Sequence, residues 1–306
     1  LESLKRLATG IDGLDALLKG GLVAGASYIV QGRPGSGKTI LANQLGFNHA
    51  RNGGRVLVAT LLAESHERLF QYLSTLSFFD PTRLGDEIQF VSAFDTLEHE
   101  GLDEVVKLLR REIGRQKATV LVVDGLLNAR SQAGSAIDSK KFIAELQGHA
   151  AFAGCTVLFL TSSRLDDGSP EHTMVDGVIE MGEELFGTRS VRRIQLRKTR
   201  GSGALSGLHE CEITDDGLVV YPRLESLYSR PTRIESNLNV LEPSGVAALD
   251  RMTNGGFRRG SVTLAMGPSG IGKTTLGLEF LGAATPEAPG LHFGFYETPD
   301  RLRCKA

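Results

Sequence analysis

Short apolar runs alternate with stretches of helical character through the first half of the chain. "SYIVQG" (27–32), "RVLVATLL" (55–62), "IQFVSA" (88–93), "TVLVVDG" (119–125) and "CTVLFLTS" (155–162) read as strands. Helices are expected to begin near Lys38, Ser65, Gly101 and Ser139. The runs carry Val, Leu and Ile at successive positions, as strands of a parallel sheet covered on both faces do. Strand–helix alternation of this kind predicts an α/β fold, a mostly parallel sheet flanked by helices. After Asp176 the pattern changes. "DGVIEMGEEL", "SVRRIQLRKTRG" and "LHECEITDDGLVVYP" read as antiparallel strands, and "DDG" at 215–217 marks a turn inside the last.

The opening pattern returns. "TGIDGLDALLKGGLVAGASYIVQGRPGSGKT" from Thr9 aligns without a gap on "SGVAALDRMTNGGFRRGSVTLAMGPSGIGKT" from Ser244, at an offset of 235 residues. "LVATLLAESHERL" and "LHFGFYETPDRL" continue the likeness, each with a Glu after an apolar run and an Arg four residues later. A period of this length is that of a whole domain rather than a solenoid repeat. The chain is therefore expected to hold a tandem repeat: a first domain over 1–222, a linker over 223–239 around Pro231, and over 240–306 the opening part of a second domain. That second copy is incomplete. Two strands and two helical pieces in about 70 residues would leave it little core.

Composition adds bounds. With 306 residues, 41% hydrophobic and 23% charged, the chain suits about two soluble globular domains. A net charge of −2 gives no global reason to expect binding to nucleic acid or an anionic membrane. Cys155, Cys211 and Cys304 form no C-x-x-C pair, which argues against a disulfide framework or a zinc site and fits a reducing cytoplasm. No apolar run reaches the length of a membrane span. His66, His149 and His172 lack ligand spacing and are expected at the surface, and Cys155 is expected as an inert core thiol.

The chemistry lies in "GRPGSGKT" (32–39) and "GPSGIGKT" (267–274), both of the form G-x-x-x-x-G-K-[ST]. Such a loop wraps backbone N–H groups around phosphates, helped by the helix N-terminus behind it. In the first loop Gly32, Pro34, Gly35, Ser36, Gly37, Lys38 and Thr39 are the expected nucleotide contacts. In the second they are Gly267, Ser269, Gly270, Ile271, Gly272, Lys273 and Thr274. Lys38 would reach the β- and γ-phosphates, and the Thr39 and Thr274 hydroxyls would bind Mg²⁺. Asp124, at the end of an apolar strand, suits the shell of the same ion. Glu64 and Glu297 are candidates to orient and deprotonate an attacking water. "RSVRRIQLRKTRG" concentrates basic residues. They form either a solvated edge strand or, in part, a contact with a neighbour's phosphates.

These residues together, with "VLVVDG", "MVDGVIE" and "LRKTRGSGALSGLHECEITDDGLVVYPRL", resemble the KaiC family of RecA-like P-loop ATPases over nearly the whole chain. The resemblance implies ATP and Mg²⁺ as cofactors and a homo-hexameric ring with nucleotide between subunits. It aligns Lys198 and Arg200 with a K-x-R segment that reaches the neighbour's nucleotide. It implies a regulatory switch signalling to a protein partner, and autokinase activity on Ser/Thr in some members. Ala63 and Tyr296 stand where the family often has a second Glu. A DNA-dependent motor of the same superfamily and a nucleotide-held scaffold with little turnover are the alternatives. The charge balance weighs against the first, and Ala63 and Tyr296 motivate the second.

Overall fold

The structure, a computed structural model, describes residues 4–63, 65–126, 136–162, 170–228 and 240–304. They fall into two compact units, Leu1–Ser229 and Arg230–Ala306.

The first unit is built on a nine-stranded sheet. In chain order its strands are β3 (Ser27–Gln31), β4 (Val56–Thr60), β5 (Ile88–Ser92), β6 (Val120–Asp124), β7 (Thr156–Thr161), β8 (Gly177–Phe186), β9 (Arg189–Thr199), β10 (Leu208–Thr214) and β11 (Gly217–Tyr221). A small antiparallel pair, β1 (Arg6–Leu7) and β2 (Leu22–Val23), precedes them. The spatial order is β11-β10-β9-β8-β3-β7-β6-β4-β5. Strands β8 to β5 along this order are mutually parallel, and β9, β10 and β11 extend the β8 edge antiparallel. The change of direction comes one strand later than the sequence pattern suggests. β8 pairs parallel with β3, and only the turn at Gly187 reverses the chain.

Alternate residues of the parallel strands enter two cores, as the pleat requires. Tyr28, Val30, Val58, Val122 and Leu160 face one layer, with α2 (Lys38–Arg51) contributing Leu41, Leu45 and Phe47. Ile29, Leu57, Val123 and Phe159 face the other. There they meet α5 (Leu102–Gln116) through Val105, Leu109 and Ile113, and α6 (Ala136–Phe152) through Ile143 and Leu146. Helix α3 (His66–Leu73) begins after Ser65 and α5 after Gly101, where the sequence pattern puts them. Helix α4 (Phe94–Glu100) has only Leu97 buried, and its short amphipathic signal gives no period to read. Near the N-terminus the Asp15 carboxylate, on α1 (Leu14–Leu17), accepts from Thr9 N and Thr9 Oγ1, both at 2.8 Å, and from Gly10 N at 3.0 Å.

α7 (Pro170–Met174) leads into β8. α8 (Leu224–Leu227) falls inside the expected linker as one helical turn, and residues 229–239 of that linker lie outside the described residues.

The second unit reproduces several local features of the first. β12 (Leu241–Glu242) pairs antiparallel with β13 (Phe257–Arg258). α9 (Ala247–Met252) carries Asp250, whose carboxylate accepts from Ser244 N at 2.7 Å. α10 (Lys273–Leu281) follows the second Gly-rich loop, and α11 (Pro299–Arg303) follows Glu297. The two expected strands do not form. Residues 262–267 and 291–297 have no ladder partner among the described residues. A lone strand leaves its N–H and C=O groups unpaired, so nothing holds it extended. Val262, Leu264, Met266, Leu291, Phe293 and Phe295 are exposed in consequence.

Limited proteolysis should therefore cut within 240–304 well before it cuts within 4–228. Few buried contacts mean cheap local opening. Equal resistance of the two segments, read by mass spectrometry of the fragments, would contradict this account of the second unit.

Candidate functional site

The carboxyl ends of the parallel strands lie in register. Thr60 on β4 pairs with Asp124 on β6, Asp124 with Leu160 on β7, and Gln31 on β3 with Thr161. Ligands of open α/β sheets bind at this edge. Past Gln31 the chain turns through residues 32–37 into α2. Gly32 lies against β8 so closely that a Cβ there would come within 2.2 Å of the Met181 carbonyl oxygen. Gly37 precedes α2 with φ +98°, and a Cβ on it would meet Ile213 Cδ1 at 2.9 Å. Only glycine takes that conformation without strain.

Lys38 opens the helix and is 8% exposed. Its ammonium donates to the carbonyl oxygens of Gly32 (2.7 Å) and Arg33 (2.9 Å), with Ser36 Oγ at 3.4 Å. Burial pushes its pKa down, and the nearby Asp124 carboxylate opposes that shift. Thr39 Oγ1 donates to Asp124 Oδ2 at 3.3 Å. A cavity of about 210 Å³ opens over these groups. Pro34, Gly35, Lys38, Thr39, Thr60, Ser65, His66 and Asp124 are among the residues that line it. The loop, the lysine, the hydroxyl and the strand-end acid that the sequence singles out thus share one pocket. Glu64 lies outside the described residues. A hydroxyl facing a carboxylate offers hard oxygen ligands, the donor set that suits Mg²⁺. Among the described residues no cluster of three or more His, Cys, Asp or Glu has the arrangement of a metal site.

None of the three histidines expected at the surface is exposed. His66 is half-buried in the pocket wall, with Nε2 3.0 Å from Thr60 Oγ1 and its ring among those of Phe70 and Phe90. His172 is buried, and its Nε2 lies 2.8 Å from Gln31 Oε1. Gln31 Nε2 donates to Glu180 Oε2 at 3.1 Å, and Arg197 Nη1 lies 3.5 Å from the same oxygen. This polar chain runs beneath the loop. It escaped sequence reading because its members are far apart along the chain and have no motif spacing. The visible signal was Gln31 and Glu180, polar residues inside apolar strands. His149 is half-buried on α6. Burial pushes the Cys155 thiol up to about 12, consistent with an inert core residue.

Lys198 and Arg200 sit at the end of α7. Lys198 Nζ donates to the carbonyls of His172 (2.7 Å), Thr173 (3.3 Å) and Val175 (2.6 Å), and Arg200 Nη2 to Thr173 O at 3.0 Å. Arg200 also faces Asp176 at 3.8 Å.

In the second unit the loop closes the same way. Gly272 precedes α10 with φ +97°, and Lys273 Nζ donates to Gly267 O and Pro268 O, both at 2.8 Å. Gly267, Ser269, Gly270, Ile271, Gly272, Lys273 and Thr274 are all solvent-exposed. Glu297 is half-buried in a bend rather than at a strand end, since its strand does not form.

This architecture and loop define the class of P-loop ATPases with a mostly parallel sheet extended by antiparallel strands. Residues 7–225 and 242–306 match the family model described as "ATPase: KaiC", and the chain belongs to that family. Among curated relatives, the circadian clock oscillator protein KaiC of a Picosynechococcus strain is 28% identical over 295 residues, 92% of this chain and 56% of that protein. KaiC of Synechococcus elongatus is 26% identical over 316 residues, 98% of this chain and 60% of that protein. The chain thus spans a little over half the length of these relatives. The crystal structure of a KaiC-like protein from the archaeon Pyrococcus horikoshii superposes with a TM-score of 0.63 at 23% identity, covering 72% of this chain and all of that one. That likeness is one of fold.

Gly37→Ala tests the geometry of the loop. Alanine in the left-handed region costs about 1–2 kcal/mol, so nucleotide affinity should fall roughly tenfold or more. The circular dichroism spectrum should stay that of the parent. Unchanged affinity in a fluorescent-nucleotide titration would contradict the loop conformation.

Proposed function

We propose that the first unit binds Mg²⁺-ATP and hydrolyses it slowly, and that its nucleotide state serves as a regulatory switch. The observation that carries this reading is the convergence of Lys38, Thr39 and Asp124 on one cavity at the carboxyl edge of the sheet. The triphosphate lies along the backbone N–H groups of residues 35–39, in the positive field of the α2 N-terminus. Lys38 exchanges its carbonyl partners for the β- and γ-phosphates. Thr39 and Asp124 hold Mg²⁺, which when bound neutralises phosphate charge. Glu64 orients a water and takes its proton as the water oxygen attacks the γ-phosphorus and the bond to the bridging oxygen breaks.

The switch is read as a homo-hexameric ring, with Lys198 and Arg200 reaching the neighbour's phosphates. Family membership supports that arrangement. The basic residues of 189–198 lie on β9, which is no edge strand but is paired on both sides, with β8 and β10. The release of Lys198 from the α7 carbonyls on assembly would be its local signature. The second loop, Lys273 and Thr274 would complete a weaker site, with Glu297 in the place of Glu64. Ser/Thr autokinase activity, which the family resemblance implies for some members, stands here as a property to be sought. The near-neutral charge balance weighs against binding to DNA. No helix among the described residues is long and apolar enough to cross a membrane.

Variants separate the roles. Lys38→Ala removes a charge-assisted contact and should weaken ATP binding about 10- to 100-fold. Glu64→Gln should keep binding and lower turnover about 100-fold or more, since an amide cannot accept the proton. Nucleotide titration and phosphate-release assays read the two effects. Equal loss of affinity in both variants, or phosphate release that survives Lys38→Ala combined with Lys273→Ala, would overturn the assignment.

A further inference from the structure

His66 follows the candidate base by two residues and falls at the first position of α3. Its imidazole turns back along the chain and meets the hydroxyl of Thr60, the last residue of β4, at 3.0 Å. Thr60 is the ladder partner of Asp124. Both Thr60 and His66 line the cavity that Lys38, Thr39 and Asp124 also line. The hydrogen bond therefore ties the first residue of α3 back to the end of β4, beside Asp124 on the neighbouring strand. We propose that His66, acting through the Thr60 hydroxyl, is a positioning residue for phosphoryl transfer in this pocket. The inference rests on the ATPase reading and adds to it a group that the loop motif does not contain.

Three observations carry it. First, the bond pins one side of a hydroxyl that has a single hydrogen. Either the ring nitrogen accepts that hydrogen and leaves the oxygen lone pairs toward the cavity, or it donates and leaves the O–H free to point there. In both tautomers the hydroxyl loses its rotation, and the water or phosphate oxygen beside it meets a fixed partner. Second, the ring packs against two aromatic neighbours. Phe90 of β5 lies 5.5 Å from it and Phe70 of α3 lies 6.3 Å from it, centroid to centroid. The two phenyl rings meet edge-on at 4.8 Å, so the wall behind the imidazole is itself packed. Third, burial holds the imidazole pKa below its ordinary value. The ring therefore stays uncharged at neutral pH, able to accept as well as donate. A positioning group set by hydrogen bond and packing in this way acts on the transition state more than on ground-state binding, because the bulk of ATP affinity comes from the loop, the lysine and the metal.

The test uses the whole chain and two isosteric changes. Thr60→Val removes the hydroxyl and keeps the shape. His66→Phe keeps a ring against Phe70 and Phe90 and removes the nitrogens. Each should lower kcat about tenfold, with KM for ATP, fluorescent-nucleotide affinity and thermal midpoint within twofold or a degree or so of the parent. Because the two act as one unit, the double variant should be no slower than either single one. His66→Gln, which retains a donor and an acceptor, should recover part of the loss. A parent-like kcat in His66→Phe, a rise in KM with kcat unchanged, or losses that multiply in the double variant would overturn the inference and leave the ATPase reading standing. Absence of phosphate release from the parent chain, with nucleotide still bound, would overturn both.

Discussion

The structure turns on one buried ammonium. Lys38 is nearly inaccessible, yet it carries a charge that an apolar interior would penalise by several kcal/mol if left unpaired. The loop meets that cost with its own backbone: the Gly32 and Arg33 carbonyls turn inward onto Nζ. Carbonyl dipoles are weaker partners than phosphate oxygens, so the arrangement is ready for exchange when a polyanion arrives. Turning those carbonyls inward requires a tight reversal between β3 and α2. That reversal requires Gly37 at φ +98° and a residue without a side chain against Met181. The loop sequence follows from the position of one charge.

The sheet supplies the rest by holding strand ends level. β3 is buried on both faces, so it has no room to shift without disturbing two cores. Asp124 and Thr60 reach the same level because β6 and β4 are paired through their last residues. Beneath the loop, Gln31 is fixed by His172 on one side and Glu180 on the other. The same segment that carries His172 gives its carbonyls to Lys198 and Arg200. The nucleotide loop and the basic strand β9 are thus tied to a common short helix.

Much of this was legible in the sequence. Five of the six parallel strands stood out because apolar residues fill successive positions, and the loop because its glycines and lysine keep fixed spacing. Asp124 could be read from its place at the end of an apolar run. Two kinds of feature were not legible. His66 and His172 have no spacing to betray them, and their burial is decided by β3, β4 and β5, which come near them only in the fold. The direction of β8 also needed the fold, since its apolar pattern suits either orientation. The opposite error came at 262–267 and 291–297. There the local pattern is that of strands, but the partners a strand requires are absent among the described residues. Local propensity was overridden by the lack of a sheet.

The two loops make an internal comparison. Their glycine dihedrals and lysine contacts are alike, and their surroundings differ: one sits on a sealed sheet, the other among exposed residues. If the sheet edge makes the site, nucleotide should recognise the first loop and largely ignore the second. Hydrogen–deuterium exchange of the chain with and without a slowly hydrolysed ATP analogue and Mg²⁺ measures this directly. Protection should appear in peptides covering 32–39, 60–66 and 120–125, and 267–274 should exchange as before. Protection confined to 267–274, or none at 32–39 under saturating nucleotide, would contradict the account.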